Sequence, residues 1–329
     1  MAYDGRIMQR ALTRFDEDKQ RRAARLDQRR RQLFTVRPRL AQIETELRGT
    51  MSRIISSALA RGTDPLPAIR VLRDENLQLQ QERGQILAEL GYPTDYLEEK
   101  PACPLCGDTG YVQGGVCRCL RAYYAREQLA ELSRLLPLGE DSFETFSFDW
   151  YDSAVQPAFG VSPRENMERN FDACRDYAYQ FARGSGSLLL SGGTGLGKTF
   201  LSACIARVVS ENGFSVVYDT AASVFGRFED AKFRRDDGGS EEVDRCMKCD
   251  LLILDDLGTE MTTAFVQSAL YQLVNGRLMA GRSTIISTNL APEEIGSRYG
   301  RQILSRLEGD YEILPFFGDD IRRLKRERQ

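Results

Sequence analysis

Residues 187–211 carry a short apolar run, a turn with four glycines and a periodic stretch that reads as a helix. The turn is Gly192-Gly193-Thr194-Gly195-Leu196-Gly197-Lys198-Thr199. It fits G-x4-G-K-[ST] in the strand–turn–helix setting that the pattern requires. Glycines let the chain wrap with its N–H groups pointing inward, a path that side chains would block. Those groups and the helix N-terminus cradle anionic phosphate. The rest of the second half agrees. Apolar runs at Ser187–Leu190, Ser215–Tyr218, Leu251–Leu254, Thr284–Ser287 and Tyr311–Pro315 alternate with helical stretches near 197–211, 221–232, 261–280 and 292–308. Such alternation predicts an α/β fold, a parallel sheet with helices on both faces. A further helix is expected at 163–183. The charged segment 226–245, with its Gly-Gly pair, is expected to be an exposed loop.

Several polar residues converge on this frame. Lys198 would reach the terminal phosphates of a nucleotide and Thr199 would place its hydroxyl on Mg2+. Asp255 and Asp256 follow the buried run Leu251–Leu254, at the strand edge where open parallel sheets bind ligands. Asp255 is suited to hold Mg2+ through water, and Asp256 to orient or deprotonate the attacking water. Glu260 is a second candidate for that duty. Asn289, ending the run from Ser283, could hold the lytic water, or be a plain turn residue. Arg306 lies on a helical stretch, where it could offer a guanidinium to a neighbouring subunit's phosphate or simply face solvent. The chain has no histidine. That excludes Ser-His-Asp and Cys-His catalysis and His-ligated zinc hydrolysis. A general base must be a carboxylate, Lys, Tyr or water.

The first 98 residues read differently. Residues 1–40 hold twelve Lys and Arg against five Asp and Glu, most of the excess between Lys19 and Arg31. That stretch could meet DNA backbone or an acidic partner, or be a solvated helix face. Over the whole chain the net charge is only -3, so a bulk-basic nucleic-acid binder is not expected. Apolar spacing predicts a helical hairpin or bundle over 1–90, broken at Gly62–Pro67. Then come Cys103-x2-Cys106 and Cys117-x-Cys119, four thiolates able to surround one tetrahedral Zn2+ with no open position for catalysis. The other cysteines, Cys174, Cys204, Cys246 and Cys249, are expected in the core. The N-terminus lacks a signal-like apolar stretch, and no run approaches a membrane span. A cytoplasmic protein with reduced thiols is expected, without membrane contact. The expected division is 1–98 helical partner-binding domain, 99–121 zinc module, 122–160 linker with helix, and 161–329 nucleotide domain.

SGGTGLGKTF at 191–200, LLILDDLGTE at 251–260, STIISTNL at 283–290 and YGRQILSRL at 299–307 together resemble the AAA+ ATPases. Within them they are most similar to DnaC/DnaI-type replicative helicase loaders and IstB transposition helpers. FETFSFDWY at 143–151 resembles the lead-in segment of those proteins, and the cysteine motif resembles the zinc segment of DnaI-like loaders. The resemblance implies ATP, Mg2+ and Zn2+ as cofactors and a P-loop AAA+ core. Asn289 would be the first sensor and Arg306 the arginine finger acting across a self-association interface. Arg322 would be the second sensor. Few residues follow Pro315, which implies a truncated lid. It further implies a weak ATPase, stimulated by DNA or partner, that places a replicative helicase hexamer on single-stranded DNA. The same motifs leave open a transposition helper, or a nucleotide-switch adaptor with negligible turnover, since Asp256 stands where most relatives carry Glu.

Overall fold

Three long helices open the chain: α1 (Gly5–Val36), α2 (Pro38–Leu59) and α3 (Leu66–Glu89). Pro38 divides the first two. It drives Arg37 out of helical geometry and is itself suited to a first helical position. Leu33, Leu40, Leu87 and Leu97 form a buried cluster there, so the expected helical bundle is present. This computed structural model describes residues 3–59, 66–134, 142–234 and 237–328. All but the last two positions of the expected break at Gly62–Pro67 lie outside the described residues. Next, β1 (Tyr111–Val112) and β2 (Gly115–Val116) form a short antiparallel hairpin, followed by α4 (Arg118–Leu132). Contacts divide the chain into two compact units, Thr13–Cys117 and Met1–Leu12 with Arg118–Gln329. The first turns of α1 therefore count with the second half. Ile7 and Ala11 are buried, Asp4 pairs with Arg245, and Arg10 pairs with Glu127 and Glu131.

In that larger unit the chain runs α5 (Pro163–Tyr179), β3 (Ser187–Gly192), α6 (Lys198–Glu211), β4 (Val216–Thr220), α7 (Ala221–Arg234) and α8 (Asp237–Lys248). It continues as β5 (Leu251–Leu257), α9 (Ala264–Met279), β6 (Ser283–Thr288), α10 (Pro292–Tyr299), α11 (Arg301–Asp310), β7 (Tyr311–Phe316) and α12 (Ile321–Glu327). Five strands form one sheet in the order β4-β5-β6-β3-β7, every pair parallel. Side chains alternate across it. Leu188, Leu190, Val216, Tyr218, Leu251, Ile253 and Ile285 pack with α5 and α6. Leu189, Val217, Leu252, Leu254 and Ile286 face the other way, onto α7, α9 and α11. Both faces are thus covered, as expected for a wholly parallel sheet. Among the described residues no helix is long and apolar enough to cross a membrane.

Two sequence expectations are corrected. Segment 226–245 is helical through its described residues rather than an exposed loop. Phe228 within it, with the buried Val224 and Phe225 just before and Cys246 just after, packs into the core, enough to hold two amphipathic helices. The helix expected at 292–308 is two, because the chain turns at Gly300 with φ +97°.

Arg277 on α9 is fully buried. Its guanidinium donates to the carbonyls of Cys246 at 2.6 Å, Cys249 at 3.1 Å and Ser283 at 2.5 Å, and to Thr284 Oγ1 at 2.9 Å. It ties the end of α8 to the start of β6. Arg277→Met keeps much of the volume but leaves those acceptors dry and unpaired. About 2–3 kcal/mol of stability should be lost, read as a lower denaturant midpoint at unchanged slope.

Candidate functional site

The glycine turn is shaped by what presses on it. At Gly192 φ is +147° and an added Cβ would lie 1.9 Å from the Phe316 carbonyl oxygen, so only glycine lets the loop leave β3 beside β7. At Gly195 the crowding group is the Asp320 carboxylate, which would stand 1.9 Å from such a Cβ. Ile321 N–H donates to the Gly195 carbonyl at 3.0 Å, and the Tyr151 hydroxyl donates to the Leu196 carbonyl at 3.1 Å. The lead-in segment and the stretch before α12 thus hold the loop from its two flanks. Lys198 is buried, with Nζ donating to the carbonyls of Gly192 at 2.7 Å and Gly193 at 2.6 Å. Burial lowers its pKa, Asp256 and Asp255 raise it, and Arg322 lowers it further. A phosphate entering this loop would offer the ammonium a charged acceptor in place of two carbonyls.

The acidic strand tip contains an irregularity. Leu254 pairs with Ile286 and Leu257 with Thr288, so Asp255 and Asp256 together face Ser287 alone. Two residues against one is a bulge, and bulges re-aim side chains. Asp256 takes φ +54°, tolerable for Asp but uncommon. The two carboxylates diverge. Asp255 is 2% exposed and accepts from Thr199 Oγ1 at 3.1 Å, from the Tyr218 hydroxyl and from the Ser287 hydroxyl. Asp256 is exposed, and its carboxylate accepts no hydrogen bond among the described residues. Partial burial in the cleft raises the Asp256 pKa, Asp255 raises it further, and Lys198 and Arg322 oppose the shift.

That shift gives a pH prediction. Asp256 holds its proton more tightly in the folded protein than in the unfolded chain, so stability is lost as pH rises from the unfolded pKa through the higher folded one. Asp256→Asn, which tolerates the same φ, should melt higher than the parent at neutral pH, with the difference vanishing in acid. If the carboxylate must be ionised to orient water, the acid limb of hydrolysis should lie above the ordinary Asp value of about 3.9. Thermal melts and a pH–rate profile check both.

Asn289 sits just beyond β6, exposed. Its neighbour Thr288 registers with Ser191 of the loop strand and Leu257 of the acidic strand. Arg322, in the first turn of α12, is near enough to act electrostatically on Lys198 and Asp256. Arg306 is exposed on α11 and pairs with Asp310 at 3.4 Å. Glu260 is committed elsewhere: one oxygen accepts from Gly258 N–H at 3.0 Å and the other from the Tyr299 hydroxyl. Sequence reasoning missed Tyr151, Tyr218, Ser287 and Asp320 as parts of this site. The first was legible as the last residue of FETFSFDWY; the others carried no signal beyond their places on strands and at a helix start.

At the cysteine motif, the sulfurs of Cys103, Cys106, Cys117 and Cys119 all lie within 4.8 Å of one another, Cys103 and Cys117 at 3.7 Å. A zinc–sulfur bond of about 2.3 Å sets tetrahedral sulfur–sulfur separations of ~3.8 Å, so the donor set suits Zn2+. Asp108 braces the turn, its carboxylate accepting from Ala102 N–H at 3.0 Å, Cys103 N–H at 2.9 Å and Arg22 at 2.9 Å. The basic stretch from Lys19 spends much of its charge internally. Arg22 goes to Asp108, Lys19 to the Asp108 carbonyl, Arg30 to the Leu97 carbonyl, and Arg29 stacks over Tyr96. Cys174, Cys204, Cys246 and Cys249 are buried, as expected.

A phosphate loop after β3, an acidic pair at the tip of β5 and a five-stranded parallel sheet between helical layers define a P-loop nucleotide-binding fold. Residues 173–329 match the family model described as IstB-like ATP binding protein. It is 29% identical over 161 residues to the replicative helicase loader DnaC of Escherichia coli (strain K12), covering 48% of this chain and 65% of that one. The protein of the same name from Buchnera aphidicola (subsp. Baizongia pistaciae) is 27% identical over 154 residues, covering 46% and 62%. The chain therefore spans less than two thirds of these curated relatives. Among solved structures, a crystal structure of the DnaC helicase loader aligns at 19% identity and a TM-score of 0.46, covering 55% of this chain and 99% of that chain.

Proposed function

We propose that this protein is an ATP-dependent loader of the replicative helicase onto single-stranded DNA, acting in the cytoplasm. The observation carrying the nucleotide part is the meeting of the Thr199 hydroxyl and the Asp255 carboxylate at 3.1 Å, next to the loop lysine. Those two residues would hold Mg2+, which when bound neutralises phosphate charge. Lys198 and the loop N–H groups bind the β- and γ-phosphates. Asp256 orients the attacking water, Asn289 helps place it, and Arg322 adds positive charge on the same side. Arg306 acts across a self-association interface, giving a weak ATPase stimulated by DNA or partner. The partner part rests on the loader name of the similar curated chains. In this reading residues 1–98 and a zinc-holding module at 99–121 engage the helicase hexamer.

A second reading, a transposition helper, is favoured by the IstB-like description matched over 173–329. Capture of partners from native lysate with ATP and Mg2+ present separates the two. Enrichment of a hexameric helicase supports the loader; enrichment of a transposase instead overturns it. Single-turnover hydrolysis, with and without single-stranded DNA, tests the third possibility. If the parent and Asp256→Ala are equally slow under every condition, the protein is a nucleotide switch without turnover.

A further inference from the structure

The acidic residues lie on β5, the phosphate loop follows β3, and β6 runs between them. Asp255 and Thr199 therefore meet across the tip of a third strand. Ser287 on β6 is 0% exposed and makes two hydrogen bonds of opposite sense. Its hydroxyl donates to Asp255 Oδ1. The same oxygen accepts from Asp256 N–H at 2.9 Å, at the bulge where two residues of β5 face one of β6. From the other side, the Tyr218 hydroxyl on β4 donates to Asp255 Oδ2, the oxygen that also accepts from Thr199.

We propose that Ser287 and Tyr218 are positioning residues for the metal–nucleotide step: a two-sided hydroxyl clamp that fixes Asp255 toward Thr199 and, through the Asp256 amide, holds the two carboxylates apart. The inference rests on the nucleotide reading above. The physical argument has two parts. A buried carboxylate offers its lone pairs in fixed directions, and two hydroxyl donors from neighbouring strands decide which oxygen remains turned toward Thr199. The backbone at Asp256 sits at φ +54°, and the Ser287 oxygen gives its amide a buried partner where the ladder is interrupted. Without that partner the bulge would relax and the Asp256 carboxylate would lose its aim.

The two hydroxyls bond to Asp255 and the Asp256 amide, and not to the glycines and Lys198 that would bind phosphate. Loss of the clamp should therefore separate two measurements that a general structural defect would move together. Ser287→Ala, Ser287→Thr and Tyr218→Phe are compared with the parent by titrating a fluorescent ATP analogue, first with Mg2+ and then with the metal chelated. Outer partners of metal ligands typically contribute about tenfold or more to metal affinity. Ser287→Ala and Tyr218→Phe should each need about tenfold more Mg2+ to reach half-maximal tight binding. Affinity in chelator should stay at the parental value, and Ser287→Thr, which restores a hydroxyl, should recover most of the loss. Parental Mg2+ dependence in both deletions overturns the proposal. So does an equal loss with and without metal in variants that melt like the parent. If Ser287→Ala does not fold, Tyr218→Phe decides alone. A parent protein that binds no nucleotide at all refutes the underlying nucleotide reading instead, a result distinct from either.

Discussion

Lys198→Ala is expected to lower ATP hydrolysis by on the order of a hundredfold to a thousandfold, the scale seen when one preorganised charge-stabilising donor is removed. The ammonium is buried and donates to two backbone carbonyls. The burial that depresses its pKa sharpens its response to an incoming anion. Binding of ATP–Mg2+ should fall with hydrolysis, because the same nitrogen serves ground state and transition state. The melting temperature should hardly drop, since the variant gives up a buried cation that contributes little to packing. Equilibrium binding and calorimetry on one preparation check both halves. A variant that binds and hydrolyses like the parent would remove the nucleotide site from this protein.

The second large effect concerns the cysteine turn. Residues 101–119 bury few apolar groups: among the described residues there, Cys103, Asp108, Gly110 and Cys117 are the buried ones. Such a segment cannot be held by a hydrophobic core. A bound metal would supply most of its folding free energy, on the order of 10 kcal/mol for a structural zinc site. Removing zinc with a strong chelator should therefore unfold this segment while the parallel sheet stays protected. Hydrogen exchange would show loss at Gly107, Thr109 and Cys117, whose N–H groups bond to carbonyls within the turn, and retention at Leu189, Ile253 and Ile286. Metal analysis should give one zinc per chain, and Cys117→Ser should copy the chelated state. Native protein without zinc, or with unchanged exchange after chelation, rules the module out.

Much of this is legible in the sequence, and for specific reasons. The strands were legible because Leu188-Leu189-Leu190 and Leu251-Leu252-Ile253-Leu254 are apolar on both faces, the mark of a strand covered on both sides. The loop was legible because few other backbone paths need glycine at 192, 195 and 197 together. What stayed hidden was set by tertiary geometry. The stretch 226–245 reads as a loop because its charges surround Phe228, yet Phe228 together with the flanking Val224, Phe225 and Cys246 suffices once a sheet face lies opposite. Ser287 looked like one more residue of a polar strand end; its two hydrogen bonds exist only because β5 bulges beside it. Nothing in the sequence around Arg277 announces that three carbonyls wait for its guanidinium.

The chain contains a single tryptophan, Trp150. Its indole is flanked by Lys325 at 5.6 Å and Arg328 at 4.5 Å from α12, and the next residue, Tyr151, bonds to the glycine turn. The protein thus has a built-in optical probe. All of its indole emission comes from one spot where two cations meet the ring, so colour and intensity carry information about that corner alone, with no label to attach and no background from other indoles to subtract.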